Sequence, residues 1–415
     1  ILDLELTPNR PDCLAVMGVA REVAALTGET ATPPSLDYPE DGPDISTLAK
    51  VEIEDPDLCR RYTATLIQGV TIGPSPDWLA DRLRAIGERP INNVVDVTNY
   101  VMFELGQPLH SFDFDELSEG RVVVRRARLG ETLLTLDGET RELTTDNLMI
   151  ADAGRPIGLG GIIGGTESGI TDGTKSVLLE AANFDGSNNR RTASGFGVRT
   201  EATLRFEKGL RPELAEYGVR RATKLILELA GGTVASGMID EWPDHGGAVQ
   251  PVELPVSGIE RLLGVSYESE LVLSTLERLG MEVVSGNGTY TVTPPYWRPD
   301  ITIPEDLIEE LARIIGYEMI PTLGITGSVP AWEPSPERDL RERIKDILAD
   351  YGMQETISYS LTTPEAEARA RPPEHGLEQL RVMNPLSAEQ ATLRTTLRHS
   401  ILAVLSRNAR TWRGP

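Results

Sequence analysis

The chain has 415 residues, with 64 Asp and Glu against 40 Lys and Arg, a formal net charge of −24 and a pI of about 4.7. That length exceeds what one hydrophobic core organises and predicts roughly two to four domains. At 40% hydrophobic and 25% charged residues the composition is globular, not disordered, and the acidity argues against tight non-specific binding to nucleic acid.

Cys13 and Cys59 are too few for a disulfide framework or a zinc site, and are expected as small core residues in a reducing compartment. No apolar run approaches the ~20 residues of a membrane span, and the start, Ile1-Leu2-Asp3-Leu4, lacks the pattern of a signal peptide. Both ends look cut, so the expectation is an internal portion of a longer cytoplasmic protein.

In chain order, residues 1–45 predict a short strand at Leu2–Leu6 and a helix with Val16, Val19, Ala20, Val23 and Leu26 on its apolar face, capped at Gly28. Thr32 to Pro43 reads as a linker. Residues 46–240 mix strands (62–68, 121–126, 147–152) with helices (about 76–87 and 212–230) without a βαβ rhythm, which predicts an α+β unit. In residues 250–322, Ser257 and Glu260 form a capping-box pattern, a helix runs from about Ser269 to Leu279, Gly286-Asn287-Gly288 signals a hairpin, and a further helix spans Pro304 to Ile315. That order suggests a small winged-helix-like module. Residues 326–415 open with Ser335-Pro336 before a helix carrying Leu340, Ile344, Ile347, Leu348 and Tyr351, followed by a strand near 355–361 and a last helix near 397–411.

Several groups of residues could carry chemistry. His245 and His375 sit in loops and His399 in a helix, whereas His110 follows Gly106-Gln107-Pro108 in a turn that could hold a side chain at a pocket rim; a single histidine is more often structural than catalytic. Arg89–Tyr100 sets Asn, Asp and Thr among β-branched residues, which fits either a strand with a polar face or a pocket wall. The run Gly158–Gly165 lacks the ending of a P-loop and suits either close ligand approach or a tight bend. Glu180 closes the apolar run Val177-Leu178-Leu179 and needs a partner, in a salt bridge or a substrate.

A basic island follows at Arg190, Arg191, Arg199, Arg205, Lys208 and Arg211, suited to phosphates or to internal ion pairs. Asp300, Asp306, Glu309 and Glu310 supply hard oxygen ligands for a cation such as Mg²⁺, although acidic residues also favour helix N-termini. No Ser-His-Asp set is visible, so any hydrolysis would use water and not a covalent nucleophile.

In sequence, Asp3–Leu14 (DLELTPNRPDCL), Pro90–Val101 (PINNVVDVTNYV), Gly106–Asp113 (GQPLHSFD), Arg199-Thr200-Glu201-Ala202, Arg205-Phe206-Glu207-Lys208-Gly209 and Arg298-Pro299-Asp300-Ile301 together resemble the β subunit of bacterial phenylalanyl-tRNA synthetase. The resemblance implies a multidomain α+β chain in four parts. These are a partial N-terminal structural domain with linker (1–45), a mixed-sheet editing and tRNA-binding domain (46–240), the small winged-helix-like module (250–322), and the start of a non-catalytic class II synthetase-like domain (326–415). Family chains are roughly twice as long, with an OB-fold tRNA-binding module, the rest of the class II domain and an anticodon-binding module besides.

The resemblance also implies hydrolysis of tyrosine mistakenly esterified to tRNA(Phe), with a pocket of Arg89, Thr98, Asn99, His110, Gly160, Gly161, Glu180, Thr200 and Ala202. Glu180 would read the tyrosine hydroxyl, His110 would position water or ribose, and glycine N–H groups would bind the oxyanion. It implies Mg²⁺ at Asp300, Asp306, Glu309 and Glu310, ATP used on the α subunit, an α2β2 heterotetramer and tRNA(Phe) as partner, with no membrane. Two other readings stay open. One is a scaffold without editing, marked by an occluded cavity and a salt-bridged Glu180. The other is a winged-helix DNA binder, which the acidity disfavours.

Overall fold

The computed structural model describes residues 3–245, 249–324, 327–370 and 378–410, so His375 and the final residues from 411 lie outside the described residues. Two compact units divide at residue 323.

In the first unit, two five-stranded sheets face each other. One runs in the order Lys50–Ile53, Arg121–Arg126, Leu148–Ala151, Pro156–Leu159, Ile163–Gly164, with a parallel first pair and antiparallel pairs after it. The other runs Thr233–Val234, Cys59–Gln68, Ser176–Phe184, Leu109–Asp113, with Ile239–Glu241 also on Cys59–Gln68. This mixed pairing is the α+β unit expected. The central strand Ser176–Phe184 is buried along its whole length. Its side chains alternate between two cores, because successive strand residues point to opposite faces. Leu178 and Ala182 meet Tyr62, Leu66, Phe112, Val124, Ile150 and Ile157 between the sheets. Val177, Leu179 and Ala181 instead meet Val97, Val101, Ala222 and Ile226 of the helices Val95–Leu105 and Glu213–Ala230. Glu180 shares the parity of Leu178 and Ala182, so it points between the sheets.

Arg89–Tyr100 is neither strand nor mainly pocket wall. It is a loop leading into the helix Val95–Leu105. Asn92 Oδ1 accepts the N–H groups of Val94 and Val95 (3.0 and 2.9 Å), and Asp96 accepts from Ile91 N–H (2.7 Å) and Ser75 hydroxyl (2.6 Å). Asn93 bonds the carbonyls of Thr71 and Leu229 at 3.0 and 3.2 Å. These polar side chains satisfy loop and helix-start backbone.

The N-terminal segment departs from expectation twice. Residues 3–6 form no strand. The helix Val16–Thr27 does end at Gly28 in the left-handed conformation (φ 78°), but it buries Met17, Gly18, Ala24 and Ala25 while Val16, Val23 and Leu26 are 52–67% exposed. The small-residue face wins because it approaches backbone: a Cβ on Gly18 would lie 2.0 Å from the Asp12 carbonyl oxygen. The expected linker is held down, with Gly42 N–H on Val234 O (2.8 Å) and Lys224 Nζ on Asp37 O (3.0 Å).

Residues 252–315 form a three-stranded sheet, order Val252–Pro255, Thr289–Thr293, Glu282–Gly286, packed on the helices Val256–Leu263, Ser269–Arg278 and Pro304–Ile315. Asn287 and Gly288 turn the hairpin with positive φ (52° and 75°), as the sequence signal requires. Ser257 caps nothing, because the first helix already starts at Val256 after Pro255.

The second unit contains the helices Pro336–Asp350, Pro364–Ala370 and Arg398–Ala409 and the strand pair Leu361–Thr362 and Thr392–Leu393. The strand expected at 355–361 reduces to its last residue and Thr362. Leu340, Ile344, Ile347, Leu348 and Tyr351 are 42–80% exposed, so this unit does not itself bury that apolar face.

Candidate functional site

Strand register builds the site. His110 on Leu109–Asp113 stands directly opposite Glu180 on the central strand, and Tyr62 lies on the other side, opposite Ala182. All three share one face, since directly opposed residues point the same way and positions two apart repeat. Residues 118 positions apart thus meet in one bond: Tyr62 hydroxyl donates to Glu180 Oε2 at 2.7 Å. Among the described residues, Glu180, 6% exposed, makes no ion pair and its Oε1 accepts no hydrogen bond. The salt bridge that would mark a closed scaffold is therefore not what holds Glu180.

Burial pushes the Glu180 carboxyl up to about 7, with the Tyr62 hydrogen bond pulling the other way. Burial brings the His110 imidazole down to about 4, so it is neutral at pH 7. His110 Nε2 is buried with no hydrogen-bond partner, its ring meets Phe112 edge-on at 4.5 Å, and no hydrogen bond joins it to Glu180 among the described residues. A buried, unsatisfied imidazole nitrogen is costly for structure alone.

Two adjoining cavities meet at this face. An inner recess of about 80 Å³ is lined by Glu180, His110, Phe112, Gly161, Phe184 and Ala202, among others. An outer cleft of about 660 Å³ adds Glu88, Thr98, Asn99, Arg199 and Thr200, and shares His110, Ile162, Gly164 and Ala202 with the recess. The structure thus brings together His110, Glu180, Thr98, Asn99, Gly161, Thr200 and Ala202. Thr98 and Thr200 also serve the backbone: Thr98 Oγ1 donates to Val95 O (2.7 Å), and Thr200 caps the helix Glu201–Phe206 in a reciprocal box with Thr203. A third cavity, of about 670 Å³ beside Arg21, Tyr217, Tyr296 and Trp297, is reached by none of the expected site residues.

Two expected residues stand aside. Arg89 is exposed and lines neither cavity, where its neighbour Glu88 reaches the cleft. Gly160 has both backbone groups occupied, its N–H on Leu148 O (3.0 Å) and its carbonyl on Asn189 Nδ2 (3.2 Å). Gly161 (φ 68°) is the one that turns the chain between Pro156–Leu159 and Ile163–Gly164. A Cβ there would meet Asn189 and Phe206 at 2.7 Å, and its N–H makes no hydrogen bond among the described residues.

Sequence reasoning missed Tyr62 and the aromatic walls Phe184 and Phe206. The signal for Tyr62 was present, since a tyrosine among the apolar residues of a core strand needs a partner for its hydroxyl.

The basic island divides. Arg205 is buried, bonded to Glu201 Oε2 and Leu14 O at 2.7 Å each and lying over Phe103. Arg211 pairs with Glu213 at 2.8 Å. Arg190, Arg191 and Arg199 are exposed and make no ion pair among the described residues, and Arg199 lines the cleft.

The acidic set does not gather into a cation cage. Arg298 Nε and Nη2 bond both oxygens of Asp300 at 2.9 Å, and its Nη1 bonds Glu310 Oε2 at 2.7 Å. Arg313 Nη2 takes the same Glu310 oxygen at 2.7 Å, and its Nη1 reaches Glu22 Oε2 at 2.5 Å. Arg10 continues the chain to Glu22 and Asp12. Asp306 Oδ2 accepts the N–H groups of Thr302 and Ile303 at 2.8 and 3.0 Å, and Glu309 is exposed with no hydrogen bond or ion pair among the described residues. These residues therefore do not fit a metal in this chain: arginines already supply the positive charge, and the network ties the helix Val16–Thr27 to residues 298–313. Asp12, Cys13 and Glu22 also lie close enough to share an ion, but Arg10 donates to all three.

Three family models match in order along the chain: the B3/4 domain over residues 58–231, the tRNA synthetase B5 domain over 252–317, and the phenylalanyl tRNA synthetase beta chain CLM domain over 320–412. A phenylalanine–tRNA ligase beta subunit of Moorella thermoacetica is 47% identical over 99% of this chain and 51% of its own length. That of Dehalococcoides mccartyi is 44% identical over 99% of this chain and 52% of its own, and that of Syntrophus aciditrophicus is 44% identical over the same shares. The chain spans about half the length of the curated relatives it matches. Among the described residues no helix is long and apolar enough to cross a membrane. The ordered domain matches and the near-complete coverage of this sequence agree: the chain belongs to the family of bacterial-type phenylalanyl-tRNA synthetase β subunits.

Proposed function

We propose that this chain is the editing and assembly portion of a phenylalanine–tRNA ligase β subunit, and that its recess hydrolyses tyrosine mistakenly esterified to tRNA(Phe). One observation carries the reading: a buried carboxylate without an ion pair, Glu180, stands across the sheet from an unpartnered neutral histidine, His110, at the floor of an open cleft.

The roles follow from chemistry. The tRNA 3′ end lies in the outer cleft beside Arg199, Thr98, Asn99 and Thr200. The tyrosyl ring enters towards Glu180, whose Oε1 accepts a hydrogen bond from the phenol hydroxyl. Phenylalanine leaves that oxygen unpaired in an apolar recess, and a site built to hydrogen-bond a hydroxyl rejects the analogue lacking it. The recess alone, about 80 Å³, is smaller than the ~150 Å³ cavity that holds benzene, so the ring must share the wall common to recess and cleft. Neutral His110 positions water or the terminal ribose hydroxyl. Water adds to the ester carbonyl with the unspent Gly161 N–H available to the resulting oxyanion, and the acyl–oxygen bond then breaks as the ribose oxygen takes up the proton that the attacking water gives up.

In the assembled ligase, ATP-dependent charging with Mg²⁺ belongs to an α subunit, with which the β chain pairs as a heterotetramer. The exposed apolar positions Leu340, Ile344 and Ile347 suit burial against a larger assembly.

The test is deacylation of Tyr-tRNA(Phe) by the assembled enzyme. Glu180→Ala or His110→Ala should lower the rate at least roughly tenfold, the scale of a lost acid–base or positioning group. Unchanged rates in both variants would overturn the reading and leave a binding scaffold.

A further inference from the structure

Tyr62 is wholly buried on the strand Cys59–Gln68, one step along the ladder from Glu180, with its ring in the core between the sheets. A phenol has one proton to give, and this one goes to Glu180 Oε2 at 2.7 Å. Oε2 is thereby committed to accepting. Whatever the charge of the carboxyl, Oε1 is then the atom left for the recess: an acceptor when ionised, and the seat of the proton when neutral. Without the phenol the carboxyl could rotate and present either oxygen.

We propose that Tyr62 is a positioning residue for substrate recognition: by holding Oε2 it assigns Oε1 to the tyrosyl hydroxyl. The proposal rests on the editing reading above.

The surroundings make Tyr62 the natural control. The titratable groups facing Glu180 are Tyr62 and Cys59 from one neighbouring strand and His110 from the other. The facing sheet and the helix Glu201–Phe206 offer the recess Ile150, Gly158, Leu159, Ala202 and Phe206, none of which titrates. Cys59 Sγ is turned to the Arg61 carbonyl at 3.5 Å. Burial holds both the Tyr62 phenol and the Cys59 thiol well above their ordinary values, so neither ionises near neutrality. Among these groups the Tyr62 hydroxyl is the one that donates to Glu180. Removing it should move the ionisation of Glu180 to higher pH.

The experiment is the pH profile of Tyr-tRNA(Phe) deacylation by the assembled α and β enzyme, for wild type, Tyr62→Phe and Glu180→Gln. The wild-type rate should rise through a limb near pH 7. Tyr62→Phe keeps the ring and should shift that limb upward by about 1 pH unit, the scale of a lost hydrogen bond to a charged group. Its rate at pH 7 should fall several-fold, with the loss narrowing at higher pH. Replacing Tyr62 with 3,5-difluorotyrosine, a stronger donor, should shift the limb the other way, and serves if Tyr62→Phe does not assemble. An unmoved limb in either Tyr62 variant overturns the positioning role. If Glu180→Gln itself deacylates at the wild-type rate, the editing reading fails instead. If Glu180→Gln is inactive and the Tyr62 variants match wild type, the positioning proposal alone falls.

Discussion

Glu180 and Glu310 are both glutamates buried to a few per cent exposure, 6% and 4%, yet they are opposite kinds of carboxylate. Burial pushes both upward. At Glu180 only a phenol answers it, and the carboxyl rises to about 7. At Glu310 hydrogen bonds and charge from Arg298 and Arg313 outweigh the same burial and bring it down to about 2. Glu310 is a structural ion tied into a network, and Glu180 is a carboxylate held in reserve. Burial is common to both; the charge of the partner decides between them.

Arg298→Ala should have the largest effect, since it leaves Asp300 and Glu310 buried beside each other with one guanidinium fewer. A cost of about 3–5 kcal/mol is expected, the range for removing one partner of a buried ion pair, read as a loss of denaturant midpoint in the intact chain. If the loss is below about 1 kcal/mol, the network is not what holds Val16–Thr27 against residues 298–313.

Glu180→Gln should do the reverse. The fold disfavours the ionised carboxylate, so the neutral isostere should stabilise the protein above pH 7, by up to about 3 kcal/mol, while abolishing reading of the tyrosyl hydroxyl. Stability gained as activity falls is the mark of a strained functional group. A destabilised Glu180→Gln would place Glu180 with Glu310.

The two glutamates should also oppose each other in how stability depends on pH. Glu310 lies below its ordinary 4.5, so its contribution is full above that value and is lost as pH falls towards 2. Glu180 lies above 4.5, so it destabilises increasingly as pH rises from 4.5 to about 7. His110 lies below its ordinary 6.5, so its contribution is full above 6.5 and is lost as pH falls towards 4. Between about 4.5 and 6.5 the Glu180 and His110 slopes oppose, each up to about 1.4 kcal/mol per pH unit. Their contributions should nearly cancel in the wild type, and Glu180→Gln should uncover a rise of stability with pH. An unchanged slope would mean that Glu180 itself titrates normally.

The smallest effect on the fold is expected at Arg190 and Arg191. Replacing both with Ala should change stability within about 0.5 kcal/mol, as for surface sites without special contacts. The same change should weaken tRNA binding by the assembled enzyme and flatten its salt dependence. Buried Arg205 is the counterpart within the same island: its loss should appear as unfolding and not as a change in salt slope.

These contrasts show what was legible beforehand. The helices Ser269–Arg278, Glu213–Ala230 and Pro304–Ile315, the hairpin at Asn287-Gly288 and the Gly28 cap follow from local rules: periodicity, positive φ and capping. Most of the pocket set was legible through its resemblance to a family, and the structure does bring His110, Glu180, Thr98, Asn99, Gly161, Thr200 and Ala202 to adjoining cavities. The buried face of Val16–Thr27 was not, because its small residues were chosen for backbone approach and not for hydrophobicity. Nor was the role of the acidic set at 300–310, since four carboxylates read alike in sequence whether they await a cation or face an arginine from twelve residues away.

Local rules in the sequence set the order of the helices and the position of the hairpin. Those depend on neighbours a few positions apart. Contacts between distant segments decide what stands beside Glu180. The register that sets Tyr62 and His110 on either side of Glu180 joins residues 118 and 70 positions apart along the chain. The arginines that neutralise Glu310 come from its own helix and from the turn before it. A carboxylate's character depends on which groups lie within a few ångströms once water is removed: for Glu180 the pairing of strands brings them there, and for Glu310 the turn and helix over residues 298–313 do so.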